Sequence, residues 1–85
     1  MVTEFLKADS VRLAFPDEVS TPAERVLFAL WKEGNQSYVR LMLRTGLRRG
    51  EFDTALNQLE EHGRVQRAES NLPFGHAFTQ IAFAR

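Results

Sequence analysis

The sequence predicts a mainly α fold with a small β-sheet, an α+β domain of three helices followed by a C-terminal β-hairpin. Three observations lead there. Thr21-Pro22-Ala23-Glu24 is a strong helix start, with a hydroxyl at the N-cap, proline in the first turn and a glutamate placed to reach back. Phe52, Ala55, Leu56 and Leu59 fall at i, i+3, i+4 and i+7, the apolar stripe of an amphipathic helix. After Gly63 the apolar period changes to two, as strands require.

The first helix starts at Pro22 and carries Val26, Leu27, Leu30 and Trp31, joined by Ala23 and Phe28. It stops at Glu33, before Gly34-Asn35. A stripe this wide predicts packing on more than one side, with Trp31 in the core. Ser37 is the expected cap of a short second helix over 38–44, and Gly46 supplies a sharp turn after it. A third helix is expected over 49–62, stopped by Gly63. It opens on Arg48-Arg49-Gly50 rather than a Ser, Thr or Asp cap, which leaves its first amides open to an anion or a phosphate. Val65 to Glu69 alternate as a strand. Residues 70–76 are rich in turn formers, and 78–83 read as the returning strand, with Ile81 and Phe83 sharing the core face. Upstream, Val11, Leu13 and Phe15 alternate with polar or small residues, a short strand at about 11–15. The chain therefore divides into an N-terminal arm or short strand, 1–20, and one domain, 21–85.

Composition narrows the function. Without cysteine there is no disulfide framework and no thiolate metal site, in keeping with a cytoplasmic protein. No apolar run approaches the roughly 20 residues of a membrane helix. His62 and His76 have no ligand partners at a recognisable spacing, and no glycine-rich phosphate loop or nucleophile set stands out. The expectation is a protein without cofactor or enzymatic activity. Net charge is zero, but it is unevenly spread. Residues 25–50 carry six basic groups and one acidic, whereas residues 51–62 carry four acidic groups and no basic one. Arg40, Arg44, Arg48 and Arg49 form a candidate phosphate-binding cluster, and Arg64 and Arg67 add charge on the first hairpin strand. The bland alternative is a solvated face in which these arginines pair with Glu51, Asp53, Glu60 or Glu61.

The run Leu41-Met42-Leu43-Arg44-Thr45-Gly46-Leu47, with Phe52, Ala55-Leu56, Leu59-Glu60, Gly63 and Val65, resembles the winged helix-turn-helix domains of MarR-like transcription regulators. With the first helix and the hairpin, the resemblance spans 21–85. It implies that the helix at 49–62 enters the major groove of double-stranded DNA, that the hairpin acts as wing, and that the protein is a homodimer. Carried onto this sequence, the DNA-binding set is Arg40, Arg44, Arg48, Arg49, Thr54, Asn57, Arg64 and Arg67. Glu51 and Asp53 depart from the pattern, because carboxylates on an entering helix repel phosphates. The alternative reading is therefore a protein–protein interaction module, a small subunit or accessory factor of a larger assembly. A third makes the chain a segment of a longer protein.

Overall fold

The computed structural model describes residues 12–68 and 79–84. Within them the chain runs α1 (Pro22–Glu33), β1 (Gln36–Ser37), α2 (Tyr38–Thr45), α3 (Arg49–Glu61), β2 (Val65–Ala68) and β3 (Gln80–Phe83). The described residues thus form three helices and a three-stranded antiparallel sheet, a small α+β arrangement. The strand order is β1-β3-β2. Gln36 stands opposite Ile81, and Val65 to Ala68 run opposite Phe83 to Gln80.

Each helix start follows from a local hydrogen bond. Thr21 Oγ1 accepts from the Glu24 amide at 3.2 Å, and Glu24 Oε1 accepts from the Thr21 amide at 3.1 Å, a reciprocal capping box. The Thr21 amide, the Thr21 hydroxyl and the Ser20 amide hold the Glu24 carboxyl below its ordinary pKa. Ser37 Oγ accepts from the Arg40 amide at 3.2 Å. Gly46, at φ 70°, ends α2 in the left-handed region and turns the chain toward α3.

The core joins one face of each helix to one face of the sheet. Val26, Ala29 and Leu30 of α1 meet Tyr38 and Leu41 of α2, Phe52, Ala55, Leu56 and Leu59 of α3, and Val65 and Ile81 of the strands. The Tyr38 and Phe52 rings pack edge to face, centroids 5.0 Å apart.

Several expectations are corrected. Trp31 is 73% exposed. At about 100° per residue it lies some 140° round the helix from Val26, past the edge of the buried face. Residues 13–15 form no strand. Leu13 is buried and its amide donates to Arg44 O at 2.8 Å, but no ladder extends from that bond. Phe83 lies on Ile81's side of the sheet but at its rim, 43% exposed, so Ile81 alone of the two reaches the core. The two-residue strand β1 was not expected at all. The whole of the expected hairpin turn, 70–76, with Phe74 and His76, lies outside the described residues.

Candidate nucleic-acid interface

The interface expected from sequence centres on α3, whose buried quartet Phe52, Ala55, Leu56 and Leu59 fixes what the rest of the helix presents. Opposite that quartet lie Gly50, Thr54, Asn57 and Glu61, all exposed. Thr54 also borders an open groove between the starts of α1 and α3, with Pro22, Ala23, Gly50 and Gln58. The carboxylates Glu51 and Asp53 sit on the two flanks of the helix, and each has a local partner.

Glu51 Oε1 accepts from the Arg48 amide at 3.2 Å. This is the glutamate half of a capping box, without a hydroxyl on the other side. In the structure that carboxylate engages the amide of Arg48, the N-cap residue itself, at the end of the helix where the dipole favours negative charge.

Asp53 Oδ1 accepts a hydrogen bond from the Tyr38 hydroxyl, and Asp53 Oδ2 lies 3.9 Å from Arg49 Nε. Tyr38 is 4% exposed, so its hydroxyl needs an internal partner, and Asp53 is the acceptor one turn into α3. Burial pushes the Tyr38 phenol pKa up, the bond and negative charge of Asp53 push it further, and Arg49 opposes them. Asp53 therefore bridges α2 to α3.

The arginines divide in the same way. Arg44 makes a two-pronged contact with Glu33 at the end of α1, Nε to Oε1 at 2.9 Å and Nη2 to Oε2 at 2.6 Å. Both side chains are about one-fifth exposed. That bond lowers the Glu33 pKa most; partial burial opposes it, and the charges of Arg44, Arg40 and Lys32 reinforce it. Arg67 stands opposite Ile81 in the ladder, on the sheet face that meets the core. Its Nε donates to Glu60 at 2.8 Å and its Nη2 to Asn57 Oδ1 at 3.0 Å, which fastens β2 to α3. Arg67 and Glu60 are the internal pair that the bland alternative anticipates, and Arg49 leans on Asp53. Arg44 finds a partner, Glu33, that the sequence reading did not consider.

Arg40, Arg48 and Arg64 are exposed and make no ion pair among the described residues. Arg48 and Arg49 stand at the start of α3 and Arg64 just beyond its end, roughly 20 Å apart at the helical rise. Arg40 lies on the exposed side of α2. Of the expected set, Arg40, Arg48, Arg49, Thr54 and Arg64 thus reach solvent, Asn57 does so with its oxygen engaged, and Arg44 and Arg67 are drawn inward.

Sequence reasoning missed Tyr38 and Glu33. Both act on residues 11 or 15 positions away, across the turns that separate the helices, so no helical or strand period connects them. Among the described residues no three His, Asp or Glu side chains converge as a metal site, and no helix is long and apolar enough to cross a membrane. Comparison with protein-family models, curated proteins and solved structures finds no match for this chain.

Proposed function

We propose that this chain is a winged helix-turn-helix domain of a DNA-binding transcriptional regulator, similar to the MarR-like group, with α3 in the major groove and the β2–β3 pair as wing. The observation that carries the reading is the disposal of the two acids on α3. Glu51 caps its own helix and Asp53 is bound to Tyr38 and Arg49, so the central outer stripe of Gly50, Thr54 and Asn57 faces outward without a carboxylate. Glu61 closes the stripe at the far end. Glu51 and Asp53 keep their charge on the flanks of the helix, each beside a local partner rather than on the central stripe. The element order helix, strand, helix, turn, helix, strand, strand also supports the reading, because a helix presented after a tight turn is how such domains address a groove.

The solvent-facing cations Arg40, Arg48, Arg49 and Arg64 set the scale of the test. Four phosphate contacts give a slope of log affinity against log salt of about −3.5 per protomer, and a loss of roughly a hundredfold between 50 and 200 mM salt. Fluorescence anisotropy with a labelled duplex measures this directly. Arg48→Glu/Arg49→Glu should cut affinity at least about tenfold and flatten the slope by about 2. Immeasurable binding at low salt, or affinity indifferent to the double reversal, refutes the proposal.

A further inference from the structure

Among the described residues, the most exposed large apolar side chain is Trp31, on the outer face of α1. The inner face of that helix, Val26, Ala29 and Leu30, is spent on the core. On the other side half-buried Phe15 and Phe28 meet edge to face and Phe28 meets Trp31 at a tilt, centroids 5.5 Å and 5.8 Å apart. Arg25 lies 5.4 Å from the Phe15 ring and Lys32 lies 5.9 Å from the Phe28 ring. Leu27 borders the same patch, half-buried. Trp31 alone, at 73% exposure, leaves on the order of 150–200 Å² of indole to solvent. Aromatic side chains at the centre of a patch with charges at its edge have the composition of an association surface.

The charges at that edge select the occupant. At the start of α1 lie the exposed acids Asp17, Glu18 and Glu24 against one base, Arg25, so that end is net acidic. At its end lies Lys32, with Arg40 close enough to lower the Glu33 pKa. A second copy laid antiparallel across the face sets each acidic end against a basic end, twice over, whereas a parallel copy opposes like to like. Antiparallel packing about a two-fold axis is self-complementary in charge and aligns the helix dipoles favourably. We infer that the Phe15–Phe28–Trp31 face of α1 is the interface of a two-fold symmetric homodimer in which the two α1 helices run antiparallel. A dimer built there leaves the outer stripe of α3 uncovered, since α1 meets α3 through its opposite face. The inference does not depend on whether α3 binds DNA.

Trp31 is the only tryptophan in the chain, so its emission reports the interface without a label. Sedimentation of the full chain across the micromolar range should give a monomer–dimer equilibrium, with a blue shift of Trp31 emission that tracks dimer formation. Trp31→Glu should weaken the dimer about thirtyfold or more while far-UV circular dichroism stays unchanged, because the exposed indole contributes little to the core. Lys32→Glu is a second probe that leaves the core untouched, and should weaken the dimer about threefold to tenfold. Asp17→Lys/Glu18→Lys should do the same. An equimolar mixture of the Lys32→Glu and Asp17→Lys/Glu18→Lys chains should recover association, because each end again meets its opposite. A strict monomer at high concentration overturns the inference. So does a dimer indifferent to Trp31→Glu, or a mixture that associates no better than its components. Blue-shifted emission that does not change with concentration assigns the cover to the same chain, and also overturns it.

Discussion

Removing one oxygen atom, by Tyr38→Phe, tests whether Asp53 holds α2 to α3. The ring is retained, so its edge-to-face contact with Phe52 and its burial are unchanged. What is lost is a hydrogen bond to a charged acceptor, generally worth about 1.5–3 kcal/mol. Here the Asp53 side chain is 42% exposed and keeps Arg49 nearby, so water replaces much of the loss and about 1 kcal/mol is expected. In a domain of this size that is a fall in Tm of about 4–8 °C. Asp53→Ala should cost more, about 2 kcal/mol, because it removes the charged acceptor of a hydroxyl on a residue only 4% exposed. In a double-mutant cycle the pair should couple by about 1 kcal/mol, measured by urea unfolding. The pH dependence has a defined sign. The folded-state pKa of Tyr38 is raised above 10.0, so the folded chain holds a proton that the unfolded chain releases. The associated stability is complete below about pH 10 and declines as pH rises through the folded pKa. Tyr38 is the sole tyrosine, so the phenolate absorbance titrates this group alone. A Tyr38→Phe protein as stable as the parent, with additive single effects and no change in alkaline unfolding, would refute the bridging role. If α3 enters a DNA groove as proposed, the bridge also bears on duplex binding. Freeing Asp53 by Tyr38→Phe should weaken duplex binding, whereas Asp53→Asn should strengthen it at low salt by releasing Arg49.

Two other perturbations follow from the same geometry. Arg44→Met should cost about 1–2 kcal/mol near neutral pH, because it leaves Glu33 partly buried without its two-pronged partner. The lowered Glu33 pKa makes that stabilisation complete above the ordinary value of 4.5, and it is lost as pH falls through the folded value, so parent and variant should converge in acid unfolding curves. Gly46→Ala should lower stability by about 1–2 kcal/mol, since φ 70° is unfavourable for a Cβ. The flexible Arg12 side chain, which approaches that Cβ position to 2.6 Å, can move aside, so Gly46→Asn should recover part of the loss in thermal melts.

What the sequence made legible is what periodicity and capping encode. The i, i+3, i+4, i+7 stripe of α3 is buried as expected, the Thr21–Glu24 capping box forms, and Ser37 starts α2. These signals are local, so they survive without knowledge of the tertiary contacts. The failures share a cause. The stripe puts Trp31 in the core because an apolar pattern gives no clue to how wide a face the neighbouring elements can cover. Residues 13–15 have strand alternation, yet a strand needs a free edge beside it, and the sequence does not say where edges lie. The candidate interface was legible as a set of arginines but not as their pairing. The partners of Arg44 and Arg67 come from other elements, and from sequence alone Asp53 looks like a groove-facing acid because Tyr38 lies fifteen residues away.

The shortest strand sets a condition on how the chain folds. Gln36, Ser37 and Tyr38 each fasten a different neighbour: the Gln36 side chain donates to Ala29 O, Ser37 caps α2, and the Tyr38 amide donates to Thr79 O. Gln36 and Ser37 also pair with Ile81 and Gln80. The middle strand of the sheet is thus the last in sequence, and β1 has nothing to pair with until that strand arrives from more than forty residues downstream. Closing so long a loop precedes any return from the contacts it makes. During synthesis, all three helices emerge before the residues that complete the sheet. A ribosome-bound chain ending near Ala68 therefore lacks both the acceptor of the Tyr38 amide, Thr79 O, and the Ile81 side chain that completes the core, and gains them only with β3.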